Sequence, residues 1–477
     1  MSDGTTAGTV LLDHTTQAPG NDIRHLAAIG GSVLFTQDDG KLGRELMRSD
    51  GTPTGTGLVK DIYPGIGSAF GPPIPDPDPA VMGGVYYFQA DDNQSGRELW
   101  RSDGTTTGTR KVKDISPTGA SGTSGATPVA MNGHLYFSGR HPTRYGLGMW
   151  RTDGTEAGTH VLDIPLSYRP TDLPPLAATG DRLWFLDSDP GHLRTYEGTT
   201  GQSLNLATIQ PVLASAIVGD AAWFFTYDGL FRSDGTVAGT TFVKSWPTIV
   251  SGWLGALGNR AAALKYDHYL NKEDDAGLWI SDGTTAGTIR VKGGQPSANA
   301  AVLDGTLYFL LDDPQADAGL WRSDGTVAGT TRVKAFTNGG EITAHLGRLC
   351  FNGNDGIHGE EPWESDGTAE GTRMLADIAP GSGGSAPGGF TAAGTKLFFT
   401  ARTEALGQQL YVLGDGGPLS PYEGWLSLHR DRMDGKTGRH EDADGDGAPN
   451  LLEFALGGDP TDPASKPDTH IRFNAGS

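Results

Sequence analysis

The chain has 477 residues, 36% hydrophobic and 19% charged, with 73 glycines, 29 prolines and one cysteine. Glycine stands at about double its usual frequency of roughly 7%, yet Gly plus Pro stays below the roughly 25–30% of low-complexity chains, so the glycines are read as turn residues of a folded protein. A net charge of -21 offers no positive footprint for phosphates and argues against nucleic acid; no apolar run reaches the ~18 residues of a membrane span, and one cysteine allows no internal disulfide.

The chain opens on an octet, Ser2 to Thr9, of the form Ser/Thr-Asp-Gly-Thr-x-x-Gly-Thr, followed by a strand, Val10 to Asp13. After Asp3 the octet aspartate returns at Asp50, Asp103, Asp153, Asp234, Asp282, Asp324 and Asp366, with spacings of 47, 53, 50, 81, 48, 42 and 42 residues. The interval of 81 holds two units, the inner one eroded to Glu197-Gly198-Thr199-Thr200-Gly201. A Gly/Asn/Asp turn and an apolar run precede each octet. In chain order the runs are Val33-Leu34-Phe35, Val85–Phe88, Leu135–Phe137, Leu183–Phe185, Trp223–Phe225, a weak copy at Ala261–Leu264, Leu307–Phe309, Leu349–Phe351 and Leu397–Phe399.

Short aromatic and β-branched runs between Gly and Asp turns predict strands. Each unit holds a first strand, the aromatic strand, a third such as Glu98–Arg101, the octet turn, and a fourth such as Val112–Ile115. Four antiparallel strands per 40–50 residues make one propeller blade. The expected fold is therefore all-β, a β-propeller of about nine four-stranded blades over residues 1–413, or eight or ten if the region around Glu197 is miscounted. The last repeat stops after its third strand, at Gln409–Val412, and the N-terminal strand supplies the missing one. Pairing residues 9–13 with 389–413 closes the ring and removes its open edge.

Within the octet, Asp-Gly favours a tight turn and the carboxylate can accept nearby backbone N–H groups; Thr hydroxyls bond backbone in the same way. The octet is read as a structural staple. Trp100, Trp150, Trp279, Trp321 and Trp363, three residues before their aspartates, are read as packing between blades in preference to platforms for sugars. Cys350, between Leu349 and Phe351, reads as a buried thiol, and His358 as a solvated loop residue beside carboxylates.

Glu45–Thr52, Glu98–Thr105 and Leu320–Thr326 resemble the ELWxxDGT repeat of large bacterial proteins. The resemblance covers residues 1–413 and departs from the motif at Gly148, Gly229, Gly277 and Gly319, where Gly replaces Glu. It implies an exported or surface propeller-like protein and carries no enzymatic role to transfer.

Beyond a linker with a short helix over 414–440, residues 441–463 form a predicted calcium loop and helix, and 464–477 a tail. In the twelve residues from Asp442 to Glu453, Asp442, Asp444, Asp446, Asn450 and Glu453 fall at positions 1, 3, 5, 9 and 12, Gly447 sits at the sharp turn, and the Ala448 carbonyl adds a ligand. That spacing wraps hard oxygens around one point, as Ca2+ requires. The loop resembles those of dockerin and thrombospondin type 3 repeats. Met1 runs directly into the octet with no signal peptide ahead of it, but the calcium loop argues for an extracellular or cell-surface location.

No nucleophile elbow, zinc-binding His pair or phosphate-binding loop is present. The expected function is a monomeric, non-catalytic binding or adhesion module for carbohydrate or protein, recognised on one propeller face. Loops 63–79 and 116–128 are the candidates for specificity. The rival is a glycoside hydrolase or polysaccharide lyase whose channel carboxylates do the chemistry.

Overall fold

The computed structural model describes residues 9–12, 23–71, 77–116, 119–143, 146–164, 175–187, 191–209, 212–246, 252–266, 275–312, 317–404 and 406–413. These form nine four-stranded antiparallel sheets. Blades 1 to 8 run in simple up-and-down order over residues 24–60, 80–111, 129–161, 175–208, 212–245, 252–293, 296–335 and 338–374. Blade 9 takes three strands from 388–413 and its outer strand from Thr9–Leu11, with Thr9 opposite Leu413 and Leu11 opposite Tyr411. Each innermost strand touches that of the next blade, and Gly388–Ala393 of blade 9 touches Arg24–Ile29 of blade 1, so the ring is closed.

The aromatic strands read as nearly continuous apolar runs because both faces of every blade are covered by a neighbour. Ser32–Asp38 is buried at six of seven positions and Ala221–Thr226 at all six. Accordingly the core is not one body. It divides into nine apolar clusters, each shared by two consecutive blades, such as Ile29, Leu46, Tyr86 and Trp100 between blades 1 and 2. The hairpins between first and second strands turn through left-handed backbone, as at Asn132 (φ 49) and Gly133 (φ 71), which suits a two-residue turn that follows the strand twist.

Three expectations are refined. The weak copy at Ala261–Leu264 is a complete strand, Arg260–Lys265. The region around Glu197 is a full blade, which fixes the number at nine. The fourth strand expected at Val112–Ile115 is only Arg110–Lys111, with His160–Val161 and Arg373–Met374 equally short, because the chain leaves the sheet early there. The octet at Asp3 and everything after Leu413, including all six expected calcium ligands, lie outside the described residues.

Candidate functional site

Strand order places the first–second turns and the octets on one face of the ring, and the second–third hairpins and the connections between blades on the other. On the octet face, all seven described octets share one network. In blade 1, Asp50 Oδ1 accepts from the Thr52 N–H (2.9 Å) and hydroxyl (2.7 Å), Thr52 Oγ1 accepts from Gly55 N–H, and Ser49 and Thr56 hydroxyls meet at 2.7 Å. The Thr52 contacts hold the Asp50 carboxyl below its usual range, the hydroxyl contributing most. A cation or ring from the preceding blade covers the octet glycine: Lys396 donates to the Asp50 carbonyl, Arg101 to Gly154 and Arg260 to Asp324. The octet is thus a staple within its own blade, as its residues suggested, and the structure adds a clasp to the preceding blade.

The five repeated tryptophans are 4–8% exposed and lie in the inter-blade clusters, leaving no indole face for a sugar. Cys350 is buried, and burial pushes its thiol up to about 12, so it is not a nucleophile. His358 is not simply solvated: its Nδ1 lies 2.8 Å from Asp355 Oδ2, and that contact raises its pKa.

Sequence reasoning missed the role of the glutamate on the third strand. Glu45, Glu98 and Glu361 are at most 1% exposed, and each receives the backbone of the connection that follows its own blade. Glu45 accepts from the N–H groups of Ile62, Tyr63 and Ala69, Glu98 from Ile115 and Ser116, and Glu361 from Ile378, Ala379 and the Ser385 hydroxyl. Burial raises all three, Glu45 and Glu98 to about 8, against the N–H bonds that pull the other way. The signal was available as a fixed offset of 16 residues to an Asp-Ile pair: 45 to 61, 98 to 114 and 361 to 377.

At Gly229, Gly277 and Gly319, where glycine stands instead, the connection that follows is short; Gly148 of blade 3 also replaces the glutamate but is followed by the long 162–174. A Cβ at Gly229, Gly277 or Gly319 would lie 2.0–2.3 Å from a carbonyl of the fourth strand, and all three have positive φ. Bare backbone there lets a five- or six-residue fourth strand pair along the whole third strand, as Gly229 with Ser245. Connections of many residues (375–387, 12–23, 61–79, 112–128 and 162–174) follow the consecutive blades 8, 9, 1, 2 and 3, while blades 5 to 7 are joined to the next by 246–251, 294–295 and 336–337.

The channel is lined mainly by small and aliphatic side chains of the innermost strands. Among these described strands Glu341 is the one carboxylate, and its Oε2 accepts from Gly389 N–H at 2.6 Å. A separate recess of about 360 Å³ opens on the octet face between blades 4 and 5, lined by Asp181, Arg182, Trp184, Glu197 and Asp220 among others. Among the described residues no group of three or more His, Cys, Asp or Glu side chains could hold a metal ion, and no helix is long and apolar enough to cross a membrane.

Fold and surface together define the class: a nine-bladed β-propeller. No family model and no curated protein matches the chain. Among solved structures it is similar to BamB from Moraxella catarrhalis, at 12% identity and TM-score 0.37 over 63% of this chain and 80% of that one. It is also similar to a puromycin hydrolase, at 14% and 0.38 over 81% and 61%, and to an oligogalacturonate lyase in complex with manganese, at 12% and 0.34 over 59% and 86%.

Proposed function

We propose that the protein is a non-catalytic binding or adhesion module, exported or displayed at the cell surface, which holds a carbohydrate or protein ligand on its connection face, on the side where the longer connections fall. The observation that carries this reading is the row of buried glutamates. Glu361, Glu45 and Glu98, on blades 8, 1 and 2, fix the connections that follow them by bonds to their backbone, which leaves the loop side chains for recognition. The innermost strands offer Glu341 alone, whereas carboxylate-pair chemistry on a sugar needs two groups about 5–10 Å apart.

In this reading Asp442, Asp444, Asp446, Asn450, Glu453 and the Ala448 carbonyl take Ca2+ and order the C-terminal segment. The donor set is all hard oxygen, which suits calcium. A glycan array read with calcium and with chelator tests the function. Retention of a glycan at unchanged chain length supports the module, and shortened product overturns it in favour of a hydrolase or lyase.

A further inference from the structure

Blade 4 is the one blade between two octets that lacks its own, and its outer edge differs from the others as well. Its third–fourth turn is held by Asp181, from the first–second turn, whose Oδ2 accepts from the Thr199 N–H at 2.8 Å. The strand that follows, Ser203–Thr208, is the last of its sheet, and among the described residues no strand pairs with its outer side. Unpaired N–H and C=O groups on such an edge are a template for another strand, and proteins guard them with short strands or with charge, lysine above all.

Both guards are visible on the other blades. The outer strands of blades 2, 3, 8 and 9 hold two or three residues each. The longer ones carry cations: Lys60 on blade 1, Lys244 on blade 5, Arg290 and Lys292 on blade 6, Arg332 and Lys334 on blade 7. Ser203–Thr208 has six residues and no charge, and Leu204 on it is 46% exposed. All five long strands are bulged against the third strand, so the bulge does not set blade 4 apart. The cation is missing there because blade 5 offers Phe231 in place of an indole, with Ala207 packed nearby. The consequence is a long edge without a guard.

We propose that this edge pairs antiparallel with the same edge of a second copy of the chain, so that the two copies of blade 4 form one continuous sheet about a two-fold axis. In such a contact a surface meets itself, and any charge it carries meets its own kind. A chain of net charge -21 repels its copy over most of its surface, and the cationic edges of blades 1, 5, 6 and 7 would repel theirs. Ser203–Thr208 is the long described edge free of that penalty. A foreign strand would be selected by charge, and this edge has none to offer, whereas a neutral strand is compatible with its own copy. The contact makes a dimer of the monomer expected from the sequence. It lies on the rim of the ring and does not depend on a ligand at the connection face.

The test is sedimentation velocity of the full chain over a range of micromolar concentrations, in chelator so that calcium cannot bridge acidic segments. A reversible monomer–dimer equilibrium is expected. Leu204→Lys restores the missing guard and should weaken the dimer by about tenfold or more, since like charges then face each other; Asn205→Lys, at the next exposed position, should act alike. Leu58→Lys, 45% exposed on the already guarded edge of blade 1, should leave the equilibrium unchanged. Melting temperatures of the three variants should match wild type, which separates lost pairing from lost folding. A wild type that stays monomeric overturns the proposal and leaves the edge to a strand of another protein. A dimer that survives both blade 4 variants, or that Leu58→Lys disrupts equally, overturns it as well.

Discussion

Lys334, on the outer strand of blade 7, places its Nζ 5.3 Å from the ring centroid of Trp363 in blade 8 and donates to the Thr372 carbonyl at 2.6 Å. The relation recurs at three other blade junctions, with Lys60 on Trp100, Lys244 on Trp279 and Lys292 on Trp321. Where the indole is lost, the lysine is lost with it: Leu12 shares a cluster with Met47, and Ala207 packs with Phe231. A cation over an indole contributes about 0.5–2 kcal/mol, and the aliphatic stem covers ring surface besides. Lys334→Leu should therefore destabilise by about 1 kcal/mol, but less in a Trp363→Met background, because that pair reproduces Leu12 and Met47. A double-mutant cycle in chemical denaturation should give a coupling of about 1 kcal/mol; additive single effects would contradict the pairing.

The second glycine of the octet is set by the aspartate five residues before it. A Cβ on Gly371 would come within 2.1 Å of the Asp366 carboxylate, which is held by the Thr368 N–H and hydroxyl. Gly371→Ala should cost about 2 kcal/mol as an overpacked site. Asp366→Ala, at an exposed carboxylate, should cost about 1 kcal/mol or less. Joined, the two should cost little more than Asp366→Ala alone, since the obstacle to the new methyl is gone. A double variant as unstable as the sum would mean that Gly371 is required for its backbone and not for the space.

Glu45 and Glu98 set a pH dependence of defined sign. Burial holds their folded carboxyls near about 8, while the unfolded side chain titrates near 4.5. Across that window the folded state keeps protons that the unfolded chain has released, so stability present at acid pH is lost as pH rises. The raised His358 acts in the same direction, through Asp355. The octet aspartates, held low, act oppositely and only at more acid pH. Melting temperature should fall between about pH 5 and pH 8, and the fall should be shallower in a Glu45→Gln, Glu98→Gln double variant. Glutamine is tolerated in that place, as Gln409 already occupies it in blade 9. Equal slopes would remove these two groups as the cause.

How much of this was legible in the sequence depended on whether the signal was local. Nine blades could be counted because each aromatic strand is buried on both faces and so stays apolar throughout, even as the alanines of 261–263. The octet could be read as a staple because the bonds of its aspartate and of its serine and threonine pair fall within eight residues, whereas the cations that reach it from the preceding blade could not be foreseen. Lys334 and Trp363 stand on different blades, and Glu45 is understood only once Ile62, Tyr63 and Ala69 are known to return to it. The recess was hidden for the same reason, since Asp181 replaces an octet residue from 18 positions before Thr199.

The six oxygen donors from Asp442 to Glu453 carry the remaining prediction. Glu453 is the one expected bidentate ligand, so its loss removes two oxygens from the coordination shell, whereas Asp444→Ala removes one. Calcium titrated into the full chain should give one saturable site, weakened in Asp444→Ala and abolished in Glu453→Ala. A chain of net charge -21 also collects calcium weakly and diffusely, and the Glu453→Ala titration measures that background directly. Identical heats from wild type and Glu453→Ala at millimolar calcium would leave only the diffuse binding and end the case for a calcium loop.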